Sequence, residues 1–211
     1  MKKSVMIIFA LITLGTQAQD GAYQQAMGQA LGQFGQAQSA EQLQAAANSF
    51  ERISAQSPEG LYPYYYAALA MINSSFKMEE TASRDQVLER AMAQIERADA
   101  LHPNNDEIEV LRGYNLMAQL AIDPASRGQR LSPAVMQSFG KAMAMNPQNP
   151  RATAMMARQE FGMAQFFGSD TARACGMAAM SIELFEAEKA SGFEPNWGRS
   201  MAEGLLQQCG Q

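Results

Sequence analysis

The chain holds one histidine, one tryptophan and two cysteines in 211 residues. With so few imidazoles and thiols, no zinc site of the usual Cys/His kind is assembled. Histidine-based catalysis would rest on His102 alone. That residue falls at the end of a predicted helix, where an imidazolium interacts favourably with the last carbonyls. No segment alternates with period two over a useful length, so no sheet is expected. Without strands there is no strand–turn–helix setting for a serine nucleophile and no glycine-rich loop following a strand. Asp106, Glu107 and Glu109 form an acidic first helical turn, which is ordinary helix N-terminal chemistry. Basic charge is short as well, with 16 Lys and Arg against 21 Asp and Glu. An acidic chain without a basic patch is a poor ligand for nucleic acid and for anionic membranes. Long apolar runs are missing too: Val5–Gly15 is far short of the ~20 residues of a stable span.

That short run has the character of an address. Lys2 and Lys3 precede it, and Thr16-Gln17-Ala18 supplies small residues for cleavage. Residues 1–18 are read as a signal peptide and 19–211 as the mature domain, exported to a periplasm or beyond the cell. No cysteine at the junction offers a lipid anchor, and no stable membrane insertion is expected. The mature chain has 14 basic and 21 acidic residues, a formal charge of −7.

What is present is a pattern repeated three times. It reads Ala46-x3-Phe50-x2-Ile53-x4-Pro58, Ala91-x3-Ile95-x2-Ala98-x4-Pro103 and Val135-x3-Phe139-x2-Ala142-x4-Pro147, with offsets of 45 and 44 residues. The spacing puts three apolar residues on one helix face, with a proline just past the end. A fourth copy, Ala178, Ile182 and Phe185, has Ala190 in place of the proline. Counting back from the prolines, Ala68, Gly113 and Ala157 supply the small residue where two helices pack closely. The pattern resembles the second helix of a tetratricopeptide unit, which implies an all-α solenoid of helical hairpins, about nine helices in one domain.

Cap signals set the expected ends. Ser39 with Gln42 and Ser83 with Gln86 read as capping boxes. Ser132-Pro133 and Asn149-Pro150 read as an N-cap followed by proline at the first helical position. Asp20, Asn105, Asp170 or Thr171, and Asn196 read as caps. The repeats exceed the usual 34 residues, and the excess falls around Lys77–Arg84, Asp123–Leu131 and Gln165–Asp170, which are expected to emerge as loops on one edge. The segments Asp123–Gln129, Asn146–Ala152, Phe166–Asp170 and Pro195–Gly198 are similar to those of exported tetratricopeptide-like proteins of Gram-negative bacteria. Ser169-Asp170 departs from the glycine-richer version usual there. No biochemical activity is assigned to that group, and from the residues neither an enzymatic activity nor a cofactor is expected.

Cys175 and Cys209 are equidistant from residue 192, within a predicted turn at Ser191–Pro195. In an antiparallel hairpin they would lie opposite each other, and in an exported chain a disulfide is expected in preference to two buried thiols. The methionines, 14 in the mature chain, fit either core filling among alanines or an adaptable binding surface.

In the solenoid register, Tyr62, Tyr65, Tyr114, Arg151 and Arg158 face the concave surface. Tyrosines at one end and arginines at the other suit an extended peptide with an acidic group. They equally suit an aromatic cover on the core, with arginines paired to nearby acids. Arg127 and Phe167 mark the loop edge as a second candidate surface. The expected function is non-enzymatic: a protein- or peptide-binding scaffold, or alternatively a small-molecule or glycan-binding protein using the aromatic groove.

Overall fold

The computed structural model describes residues 21–210; the expected signal peptide and the Asp20 cap lie outside them. Among the described residues the chain forms nine helices and no strand. Helix α1 covers 21–36, followed by α2 (Ala40–Gln56), α3 (Leu61–Ser75), α4 (Thr81–Leu101), α5 (Asp106–Leu120), α6 (Pro124–Met145), α7 (Pro150–Phe167), α8 (Ala172–Ala187) and α9 (Arg199–Cys209). None is long and apolar enough to cross a membrane.

Helices α2 to α9 pack in sequence, each against the next, and α3, α5, α7 and α9 also lie side by side. The odd-numbered helices therefore form an inner row and the even-numbered ones flank it. The repeated apolar triplets explain the pairing. Phe50, Ala91, Ile95, Val135, Phe139 and Ala142 are all 1% exposed or less. Pro58, Pro103 and Pro147 each fall two residues past the end of α2, α4 and α6, where a missing N–H and a fixed φ do no harm. The small residues sit at close helix crossings. Gly113 faces the Phe139 ring so tightly that a Cβ there would come within 2.5 Å of it, and Ala68 and Ala157 have no exposed surface. Helix α3 is buried from Pro63 through Ile72, as expected of a helix covered on every side.

The Ser39–Gln42 capping box is present, and Asn105 and Asn149 cap α5 and α7. Three starts differ from the sequence reading. Helix α4 begins at Thr81, because the Glu80 carboxylate accepts from the Ser83 amide and takes the cap in place of Ser83. Helix α6 begins at Pro124, with Asp123 accepting from Ser126, and Pro133 lies inside it. Asp123-Pro124 is the same cap-and-proline device nine residues earlier, and the helix tolerates Pro133 at the cost of one lost bond to the Gln129 carbonyl. Helix α9 begins at Arg199, not after Asn196; its cap is Gly198, at φ 104°. The expected edge loops are thus largely helix: most of Asp123–Leu131 is the first part of α6, and α7 runs on to Phe167 before stopping at Gly168.

A small second core joins the last helices. Ala157, Phe161, Ala174, Ala178 and Leu205 form it, with Cys175, Leu206 and Cys209 packed against them. Cys175 and Cys209 are bonded, with Cα atoms 5.9 Å apart. The α8–α9 connection does fold as an antiparallel hairpin, but its linker, residues 188–198, is longer than a turn and leaves the hairpin axis.

Candidate functional site

That linker lies across the inner row. The Tyr66 hydroxyl donates to the Phe193 and Glu194 carbonyls at 3.0 and 3.3 Å. Phe193 packs edge-on against Tyr23 and Tyr62. The Trp197 indole N–H donates to the Tyr65 hydroxyl at 2.8 Å, and that hydroxyl donates to Glu107 Oε2 at 2.7 Å. Arg151 Nε donates to Glu107 Oε1 at 2.7 Å, while its Nη1 reaches Glu188 Oε2 at 3.1 Å and the Trp197 carbonyl at 3.3 Å. Its Nη2 also pairs with Glu188. Asn149 completes the set by donating to Glu107 at 2.8 Å. Gly198 ends the linker where a side chain has no room: a Cβ would lie 3.1 Å from both Arg151 Cγ and the Phe185 ring, at a φ that L residues rarely adopt.

This arrangement decides where the expected groove residues stand. Tyr65 is 1% exposed and Arg151 3% exposed, so neither is available to a partner. Tyr62 is half-buried beneath Phe193. Tyr114 is buried, stacked between Phe76 and Trp197 at centroid distances of 5.8 and 5.5 Å, and donates to Asn73 at 3.1 Å. Burial raises the Tyr65 and Tyr66 hydroxyls above the ordinary tyrosine range and pushes Tyr114 up to about 12, against the nearby charge of Arg158. Burial also raises the Glu107 carboxyl, opposed by Arg151. Burial works against the Arg151 charge, but the carboxylates of Glu107 and Glu188 outweigh it and hold the guanidinium firmly protonated. The inner face thus holds residues 188–198 of the chain itself, through Tyr65, Tyr66 and Arg151.

Arg158 stands apart from this network. It is exposed, and among the described residues no carboxylate pairs with it. It borders a cavity of about 710 Å³ on the edge where the ends of α3, α5 and α7 meet the start of α6. Phe76, Met117, Leu120 and Met163 form apolar walls, and Phe166 and Phe167 form a lip. The two lip rings are 64% and 72% exposed, a display of apolar surface that a folded chain usually covers. Gly128 of α6 and Gly162 of α7 also line the cavity, and a Cβ on either would meet nothing within 4 Å. The cavity is within the 300–1,000 Å³ range of small-molecule sites.

Of the two loop-edge candidates, Phe167 belongs to this cavity. Arg127 does not: it donates to both Asp85 carboxylate oxygens at 2.6 and 2.7 Å and to the Gln119 carbonyl at 3.1 Å. It ties α6 to α4. His102 is likewise engaged, its Nε2 lying 2.9 Å from the Glu59 carbonyl. Among the described residues no cluster of three or more metal-ligating side chains is found. Sequence reasoning named Phe167 and the edge, placed Arg158 in the concave groove instead of at this cavity, and missed Phe76, Met117, Leu120, Gln159 and Met163. A signal was available: Phe166-Phe167 precedes a helix-stopping glycine, where two large apolar residues have no helix turn left to pack against.

No protein-family model matches the chain, and no curated protein does. Its fold is similar to a solved structure. The HusA haemophore from Porphyromonas gingivalis aligns over 89% of this chain and 92% of its own, at a TM-score of 0.79 and 26% sequence identity. The likeness spans nearly all of both chains, so it concerns the whole helical array rather than one hairpin.

Proposed function

We propose that this chain is an exported, non-enzymatic binding protein that carries haem, or a closely related porphyrin, in the edge cavity. The observation that carries the reading is the cavity itself: an apolar, methionine-containing chamber with two exposed phenylalanines at its lip, on a fold that resembles a haemophore throughout. A porphyrin is a broad apolar plate with acidic groups on one edge. Phe76, Leu120, Phe166 and Phe167 offer faces for the plate. If the iron takes a ligand here, the cavity's soft donors are the thioethers of Met117 and Met163. Haem is cargo in this reading, bound and released without being changed.

Export is supported by the Cys175–Cys209 bond, which belongs to an oxidising compartment, and by the N-terminal leader read from the sequence. The protein- or peptide-binding reading is less well supported. Its surface, the inner row, is filled by residues 188–198, and a partner peptide would have to displace a buried ion pair.

The test is titration of the mature protein with haemin, read from the Soret band. Saturable binding near one or a few equivalents is expected. Gly128→Phe places a ring in the open cavity with no clash at its Cβ. It should weaken binding more than tenfold while leaving the melting temperature unchanged. Equal binding by that variant would remove the cavity from consideration.

A further inference from the structure

We infer that the polar end of the edge cavity, Arg158 with Gln159, is a carboxylate seat, so that the cavity selects apolar molecules carrying a free acid group over their esters. The inference rests on the proposed cavity but not on the ligand being a porphyrin. Three observations meet here. Arg158 is the single charged residue lining the cavity and has no acidic partner among the described residues. A guanidinium beside apolar walls, with its fork of donors unused, is suited to a carboxylate. Gln159 is the second. It is 5% exposed, and its amide makes no hydrogen bond among the described residues, yet it lines the cavity. The amide atoms reach solvent instead of standing buried and orphaned, so they are free to hydrogen-bond a ligand that enters the cavity. The third is contrast. Arg112, Arg127, Arg151 and Arg199 are tied to acidic groups, and while Arg52, Arg84, Arg97 and Arg130 also lack an acidic partner among the described residues, Arg158 is the unpaired arginine that lines this cavity.

An apolar body would lie against Phe76, Met117 and Leu120, with its acid group turned to α7. This orientation leaves the opposite end of the ligand at the apolar walls, so one acid group suffices and a second adds little. Because Arg158 is exposed, the contact is screened and modest. The expected preference for free acid over ester is about tenfold at low salt.

Two probe pairs separate the seat from the identity of the cargo: haem with its dimethyl ester, and dansyl-undecanoic acid with its methyl ester. Each is titrated against the full mature chain, Arg158→Ala and Arg158→Lys. The seat predicts that at least one acid binds better than its ester, that Arg158→Ala removes the preference, and that Arg158→Lys keeps part of it. Raising the salt should weaken the acid and leave the ester unaffected. If the dansyl acid shows this behaviour and haem does not bind, the haem reading fails and the seat stands. If haem and its ester bind equally, and the dansyl pair shows no dependence on Arg158, the seat is overturned and the haem reading stands. If none of the four binds, both are overturned.

Discussion

Replacing Gly113 by alanine sets two well-characterised effects against each other. In an exposed helix interior the change stabilises by roughly 0.5–1 kcal/mol, because alanine loses less backbone freedom on folding. At Gly113 the new methyl would lie 2.5, 2.7 and 2.9 Å from three atoms of the Phe139 ring. Ordinary contact between carbons is about 3.5–4.0 Å, so the ring or the helix must yield by about 1 Å. Phe139 is completely buried, so its ring moves only by displacing the close-packed side chains around it. Overpacking of this kind costs about 1–3 kcal/mol. The net effect should therefore be a loss of about 1–2 kcal/mol. For a domain of this size that lowers the melting temperature by roughly 2–8 °C. The assay is thermal and urea unfolding followed by circular dichroism. Gly176→Ala in α8, where a Cβ meets nothing within 4 Å, is the matched control and should be stabilised. Phe139→Leu in the Gly113→Ala background should recover part of the loss, which two independent defects would not do. A Gly113→Ala protein as stable as the parent would refute the claim that α5 and α6 approach at the limit set by glycine.

Two further outcomes follow from the inner network. Arg151→Ala leaves Glu107 and Glu188 facing each other in a buried site without their shared cation, and should cost about 3–5 kcal/mol in chemical unfolding; a loss under 1 kcal/mol would show that the linker is not held by this pair. Alkaline pH acts through the tyrosines. Tyr65, Tyr66 and Tyr114 titrate above the unfolded value near 10, so the folded state holds protons that the unfolded chain releases. Their contribution is complete below that value and is lost as pH rises toward and through the folded values. Tyrosinate absorbance for these three should appear only with unfolding, and early titration of all six tyrosines would contradict their burial.

The sequence was most legible where a local rule decides the outcome. Pro58, Pro103 and Pro147 end helices because a proline cannot continue them, and the residues spaced before them had to share a face. Ala68, Gly113 and Ala157 could be read as close crossings from register alone. Cys175 and Cys209 met because an antiparallel hairpin imposes symmetry about its turn. The reading strayed where two local signals competed. Pro133 looked like a start because Ser132 precedes it, yet Asp123-Pro124 offered the same chemistry sooner and the helix ran through. It strayed further where burial depended on distant chain. Nothing near Tyr65 or Arg151 announces that a tryptophan 132 residues away will cover one and a glutamate the other. The edge cavity was half legible. Its position followed from the repeat lengths, but its walls come from the ends of four helices and no motif joins them.

The linker across the inner row also sets how many repeats the protein can have. A repeat array normally has open ends: units touch only their neighbours, can fold piecemeal and can be added or removed. Here Tyr66 of α3 is bonded to Phe193 and Glu194 across 127 and 128 residues, and Tyr23 of α1 packs on Phe193. The last hairpin thus reaches back to the first helix and the array is closed on itself. An inserted or deleted hairpin would carry residues 188–198 out of reach of their sites, so the number of units is fixed by geometry. The cavity at the edge is then held by a frame whose two ends check each other.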